Sequence, residues 1–281
     1  MAPSASLKKR AARLEEIAVE VRAHIIDMIY TARSGHPGSS LSTADIMTAL
    51  YFDLARVDPR RPEWPDRDRV ILSKGHGCPV WYACLALKGY FPLEVLKTLR
   101  RFESILQGHP DMRKTPGVDM TTGSLGHGLS LGVGMALEGR LRAADYTVYV
   151  ILGDGEVQEG QIWEAAASAA KYGLDNLVAV VDRNRLQMDG FTDRVMPMEP
   201  LDAKFRAFNW QVMRMDGHDM KQILTTLQAA REAKNNPVCV LADTVKGKGV
   251  SFMENVRVWH GKCPNKEEYE QAMREIRGGR R

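Results

Sequence analysis

The sequence predicts an α/β protein, a parallel sheet with helices on both faces. Five short apolar runs rich in β-branched residues, at 68–73, 146–152, 177–182, 210–215 and 237–243, have the length and composition of buried strands. Segments with apolar residues at helical spacing separate them, which is the alternation of βαβ units. Four of the five runs also end in clusters of ligating residue types. Ligands of such sheets gather outside the carboxyl ends of the strands.

Along the chain, Leu14, Ile17, Val21, Ile25, Met28 and Ile29 give residues 11–33 a helical spacing. The stretch SGHPGSSLST (34–43) interrupts that pattern, and ADIMTALYFDL resumes it. DRVILS (68–73) is the first strand, followed by KGHG and a helix from Pro79 to Leu87. A further helix is expected over 93–104. TTGSLGHGLSLGVGMALEGRLRAA opens as a glycine loop and continues as helix. Gly126, Gly128, Gly132 and Gly134 are poor helix formers, so something must approach that segment closely. Helices at about 161–172, 201–208 and 219–234 alternate with the last four strands. Residues 244–265 form a long irregular stretch, of the kind that is functional or mobile. One domain over 10–265 is expected, with a tail at 1–9 and a helix with a basic tail at 266–281.

With 281 residues the chain can bury the core of one large domain. Net charge is +4, from 39 basic and 35 acidic residues, too small an excess to argue for nucleic acid. The basic runs LKKRAAR and IRGGRR read as solvated termini. Cys78, Cys84, Cys239 and Cys263 show no CxxC pairing, so a reducing, cytoplasmic setting is expected. No stretch approaches the ~18 consecutive apolar residues of a membrane span. The N-terminus lacks the apolar core of a signal peptide.

The chemistry collects at the strand ends. The first strand runs into Ser73-Lys74-Gly75-His76-Gly77, the second into Gly153-Asp154-Gly155, the third into Asp182-Arg183-Asn184. The last reaches Asp243-Thr244, with Lys246 close behind. A tight turn alone would explain Gly-Asp-Gly. Convergence of all four ends on one edge is harder to explain that way. One helix and one strand separate Asp154 from Asn184, so the two would end neighbouring strands. Their oxygens are hard ligands suited to Mg²⁺ or Ca²⁺. His36, His76 and His109 lie in Gly- or Pro-flanked loops, which favours a functional role. His24, on a helix, and His218, in the turn DGHD, read as structural.

Gly-Asp-Gly followed thirty residues later by Asn resembles the thiamine-diphosphate signature. SGHPGSS (34–40), SKGHG (73–77), QGHPD (107–111), GSLGHG (123–128), DTVKGKGVSFME and WHGK (259–262) narrow the family. In this order they resemble the N-terminal, diphosphate-binding domain of transketolases, over roughly residues 10–265. The resemblance implies the thiamine-diphosphate-binding fold. It implies that Asp154, Asn184 and the Leu186 carbonyl bind Mg²⁺ (or Ca²⁺ or Mn²⁺). Leu125, Gly126, Gly153 and Gly155 would lie against the cofactor. Ser39 and His76 would sit near its diphosphate and reactive carbon, with Lys246 completing the cationic surroundings. His36, His109 and His260, with His76, would hold and deprotonate sugar hydroxyls, a task suited to imidazole. Glu159 and Glu164 match acidic positions that link two active sites across a dimer interface, although acids at a helix start also complement its dipole. His127 departs from the Gln of many full-length relatives.

Such a domain carries half of an active site. In the family a second domain holds the aminopyrimidine end of the cofactor and supplies a glutamate to it. The chain therefore resembles the first subunit of a split transketolase, paired with a separate C-terminal subunit in an α2β2 assembly and acting on sugars or sugar phosphates. A 1-deoxyxylulose-5-phosphate synthase-like or 2-oxoacid-decarboxylating subunit is a rival within the same chemistry. A non-catalytic assembly subunit is a rival from another class, which intact Asp154, Asn184, His76 and His109 argue against.

Overall fold

In a computed structural model, the structure describes residues 5–278. The expectations for 1–4 and 279–281, parts of the two tails, lie outside the described residues. Helix α1 (Ala5–Ala32) starts inside the stretch expected as tail and buries Leu14, Val21, Ile25, Ile26 and Ile29. Its basic start is not simply solvated: Arg10 holds the Asp53 carboxylate and Arg13 donates to the Phe52 carbonyl.

The Gly/Ser-rich stretch expected to break the helical pattern is largely helical. Pro37 opens α2 (Pro37–Ser42), where its fixed φ suits the first turn. Hydroxyls of Ser40 and Thr43 bond back to the carbonyls of His36 and Ser39. Helix α3 (Ala44–Ala49) follows and ends in a wider turn over Leu50–Leu54. Strand β1 (Arg69–Leu72) leads to α4 (Cys78–Lys88). The helix expected over 93–104 is a correction. Only Leu93–Thr98 forms a 3₁₀ turn, and Arg100 and Glu103 take left-handed φ values of 60° and 61°. The Ser104 hydroxyl accepts from Leu106 N–H and pairs with Thr98, and such local bonds compete with a helix.

The remaining elements are α5 (His127–Leu141), β2 (Val148–Gly153), α6 (Gly160–Lys171), β3 (Leu177–Arg183), α7 (Thr192–Val195), α8 (Leu201–Ala207), β4 (Gln211–Asp216), α9 (Met220–Glu232), β5 (Val238–Asp243) and α10 (Lys266–Gly278). Among the described residues they make one five-stranded sheet in the order β1-β2-β3-β5-β4, parallel throughout. Alternate strand residues serve two cores. Tyr149, Ile151, Val178 and Val180 pack towards α1, α3, α4 and α9, whereas Val150, Leu152, Ala179 and Val181 pack towards α5, α6 and α8. Two of the helix glycines answer to the sheet, since a Cβ at Gly128 would collide with Ser73 and one at Gly132 with Val150, whereas Gly134 faces open space and no close approach explains it.

Register brings the carboxyl ends level. Leu72 pairs with Ile151, Gly153 with Asp182, and Arg183 with Asp243. Asp154 and Asn184 do follow neighbouring strands, as expected. No helix among the described residues is long and apolar enough to cross a membrane.

Candidate active site

A cavity of about 480 Å³ opens outside those strand ends. Its wall includes His36, Ser39, His76, His109, Leu125, Gly153, Asp154, Gly155, Glu159, Asn184, Leu186, Lys246 and His260. These are the sequence-predicted site residues with one exception, Gly126. That residue sits just behind the wall as the N-cap of α5. Its φ of 86° is the left-handed conformation that glycine adopts freely, and its N–H donates to Glu156 at 2.9 Å. It shapes the loop that presents Leu125. His127 is exposed at the start of α5 and does not line the cavity, and Glu164 is exposed on α6.

Beneath the cavity lies an ion pair that sequence reasoning passed over. Lys74 Nζ donates to Asp182 at 2.6 Å and to the Ser39 carbonyl at 2.8 Å, and both charged groups are essentially sealed from solvent. Asp182 also accepts from Ser42 (2.6 Å), Thr244 (2.5 Å) and the Asn184 amide nitrogen (2.9 Å). Burial opposes its charge, yet Lys74 and these donors hold its carboxyl below the usual range. Because Asn184 spends its NH₂ on Asp182, its Oδ1 is left as the acceptor, which takes the Leu186 N–H at 3.1 Å. The signal was present in the sequence as Lys74 and Asp182 at strand ends, without anything to pair them. Glu156 was missed as well. Buried, it accepts from Ser73, Gly126 N–H and Gly153 N–H, and so joins the ends of β1 and β2 to the start of α5.

Asp154 accepts from the N–H groups of Gly155 (2.9 Å) and Arg185 (2.5 Å). Burial and the nearby Asp182 charge push its carboxyl up to about 6. Lys246 Nζ donates to the Leu186 carbonyl at 2.6 Å and stands 2.9 Å from His260 Nδ1. Burial, and then Lys74, bring its ammonium down to about 8. Positive charge thus already faces the oxygen set of Asp154, Asn184 and Leu186. Among the described residues no three His, Cys, Asp or Glu side chains form a ready metal cage.

Three imidazoles cluster above this floor. Ring centroids are 5.1 Å apart for His36–His76, 5.4 Å for His36–His260 and 5.2 Å for His76–His260. Burial lowers all three, helped by Arg100 at His36, Lys74 at His76 and Lys246 at His260. His36 falls to about 4, His260 to about 3, and His76 well below its ordinary value. Burial and Arg100 lower His109 too. Near pH 7 the set is neutral, and a neutral imidazole can accept a proton. Nδ1 of His36 and the Ser39 hydroxyl are buried on this wall and have no hydrogen-bond partner among the described residues. An unmet buried polar group costs about 1–3 kcal/mol, so the wall is built to meet a polar ligand. His218, read as structural, lies off the cavity and bonds Asp45 and Val245 N–H.

A parallel sheet with cations, hard oxygens and glycine turns at its carboxyl edge defines a phosphate-ligand-binding α/β protein. Residues 14–279 match the family model described as transketolase, thiamine diphosphate binding domain, and the chain belongs to that family. It is 47% identical over 263 residues to the 6-deoxy-6-sulfo-D-fructose transketolase subunit of a Clostridium species, covering 94% of this chain and 96% of that protein. It is 46% identical over 255 residues to an apulose-4-phosphate transketolase subunit of Phocaeicola vulgatus, covering 91% and 90%. The transketolase of Leishmania mexicana superposes with a TM-score of 0.90 at 30% identity, over 94% of this chain but 41% of that one. The Campylobacter jejuni enzyme gives 0.89 at 32% identity, over 94% and 42%. The chain therefore spans about two fifths of these solved transketolases and nearly the whole of the small subunits.

Proposed function

We propose that this chain is the diphosphate-binding subunit of a split transketolase, transferring a two-carbon ketol unit from a ketose to an aldose. The observation that carries the reading is the meeting, in one cavity, of hard oxygen donors, buried lysines and neutral histidines. The near end-to-end likeness to separately encoded transketolase subunits supports a partner chain for the rest of the active site. It also disfavours the synthase-like and non-catalytic alternatives. We take the partner to be a C-terminal transketolase subunit in an α2β2 assembly, in line with the closed symmetry of most oligomers. A reducing, cytoplasmic setting agrees with four unpaired cysteines.

The wall fits thiamine diphosphate with Mg²⁺. Asp154, Asn184 and the Leu186 carbonyl would hold the ion, which usually takes its other ligands from phosphate and water. Lys246, Ser39 and His76 would meet the diphosphate, with Gly153 and Gly155 leaving room for it and Leu125 and Glu159 beside it. When bound, the cofactor supplies the carbon that takes up the ketol unit. The protein's part is to orient the sugar and move its protons. His36, His109 and His260 would bind the donor hydroxyls, and a neutral imidazole among them would accept the hydroxyl proton whose loss releases the aldose.

The test is assay of the chain alone and with its partner, saturated with thiamine diphosphate and Mg²⁺. The ketose panel should include xylulose 5-phosphate and the sugars named for the two relatives. Transfer should need both chains. Robust transfer by this chain alone would overturn the split-enzyme reading.

A further inference from the structure

The segment that carries Lys246 into the site is anchored on both flanks by side chains outside the cavity. On one flank the Val245 N–H donates to His218 Nε2 at 2.8 Å. On the other, Arg22 Nε donates to the Lys248 carbonyl at 3.2 Å. Both anchors end on one carboxylate. Arg22 donates to the two oxygens of Asp45 at 2.9 and 2.5 Å, and His218 Nδ1 stands 2.8 Å from Asp45 Oδ2. Since Nε2 accepts an amide hydrogen, Nδ1 carries the imidazole proton and donates it to Asp45, which fixes the tautomer.

Burial opposes charge on Asp45, but Arg22 and His218 hold its carboxyl down at about 2. A buried pair of this kind is weak evidence for stability, because desolvation offsets attraction. Its bidentate arginine and fully used imidazole fix geometry instead. That matters for Lys246, whose long flexible stem places its ammonium only as well as its backbone is held.

We propose that Asp45, acting through Arg22 and His218, is a positioning residue for the diphosphate site, clamping residues 245–248 so that the Lys246 ammonium is kept in the cavity beside His260. The role of Lys246 towards the cofactor rests on the transketolase reading, whereas the clamp is a property of the chain itself.

His218→Asn separates the two. Its amide can still donate to Asp45 but cannot reach the Val245 N–H. In the chain without cofactor, hydrogen exchange followed by mass spectrometry should quicken about tenfold or more across 244–250 and stay unchanged in β2 and β3. In the assembly with its partner chain and excess Mg²⁺, the thiamine diphosphate concentration for half-saturation should rise about 10- to 100-fold, with kcat at saturation retained. Lys246→Ala should weaken cofactor binding too, and His218→Asn should add nothing on top of it, because both act through one ammonium. Unchanged exchange at 244–250, or full additivity with Lys246→Ala, would overturn the clamp. If the wild-type assembly bound no thiamine diphosphate, the transketolase reading would fall, and exchange would still decide the clamp. Arg22→Lys, which removes the donor to Lys248 but keeps a charge for Asp45, gives the same readout from the other flank should His218→Asn not fold.

Discussion

The floor of the cavity and its rim are built on opposite terms. The floor is polar and sealed. Lys74, Asp154, Glu156, Asp182 and Asn184 are all buried, and each is held by partners from other elements or from the turn it stands on. The segment after β3, which reaches the cavity's rim at Met188, is open and carries exposed apolar side chains among charged ones. Met188, Phe191, Val195 and Met196 are 62%, 45%, 40% and 54% exposed within nine positions. A contiguous exposed apolar patch marks an interaction surface, whereas scattered exposed apolar residues do not by themselves. Among the described residues the polar groups of the floor are satisfied by the chain itself, whereas these apolar side chains stay in solvent.

The floor should break first at Asp154. Asp154→Ala removes the hard carboxylate expected to hold the ion, so Mg²⁺-dependent binding of thiamine diphosphate should be lost. Calorimetry on the assembled complex checks this, and unchanged affinity would remove Asp154 from the metal site. His109, higher on the wall, should separate binding from chemistry. His109→Ala should leave cofactor affinity near normal and lower kcat by about 10²–10⁴-fold. Near-normal turnover on the best donor would end its assignment as a proton-handling group.

The floor was partly legible in the sequence, and the reason is topology. Parallel order forces the ends of β1, β2, β3 and β5 onto one edge, so Asp154, Asn184 and Lys246 could be brought together from the sequence alone. What pairs with what was not legible. Lys74 meets Asp182 across 108 positions and Asp45 meets His218 across 173, and no spacing rule reaches that far. Gly126 was placed against the cofactor by the family resemblance, and its place just behind the wall, as a left-handed N-cap bonded to Glu156, is a backbone demand that the sequence alone does not display. The missing helix at 93–104 failed for a local reason: Thr98 and Ser104 spend hydroxyls on the turn. The rim gave no signal, since Met188 and Phe191 read equally well as core.

A third prediction concerns acid. His36 and His260 have pKa values near 4 and 3 in the folded chain, below the ordinary 6.5. At these two sites the unfolded chain therefore binds more protons between those limits, so the stability the two rings contribute is fully present above about pH 6.5 and is lost as pH drops towards 3, against an opposite contribution from Asp154. Because both rings keep some solvent contact, the slope should be shallower than that of two sealed groups. Denaturant melts of the cofactor-free chain at a series of pH values measure it. His36→Asn should flatten the slope, and a slope identical to wild type would mean that His36 is not held neutral.

The rim prediction is the smallest in this chain and the sharpest test of the contrast. Met188→Ser and Phe191→Ser remove apolar surface that the isolated chain leaves in water. Surface changes of this kind usually stay within about ±0.5 kcal/mol of wild-type stability, so denaturation midpoints should hardly move. Sheet and floor should be untouched, because neither side chain bonds Asp154, Asn184 or Lys246. Association with the partner chain should weaken, by roughly tenfold or more where the side chain fills a pocket on the other chain, since a few buried anchors carry most of an interface. Titration of the partner by light scattering or analytical centrifugation reads this directly. Two outcomes would dissolve the contrast. If the serine variants lost stability as floor variants do, the rim would belong to the core. If they bound the partner as tightly as wild type, the apolar rim would have some other cover.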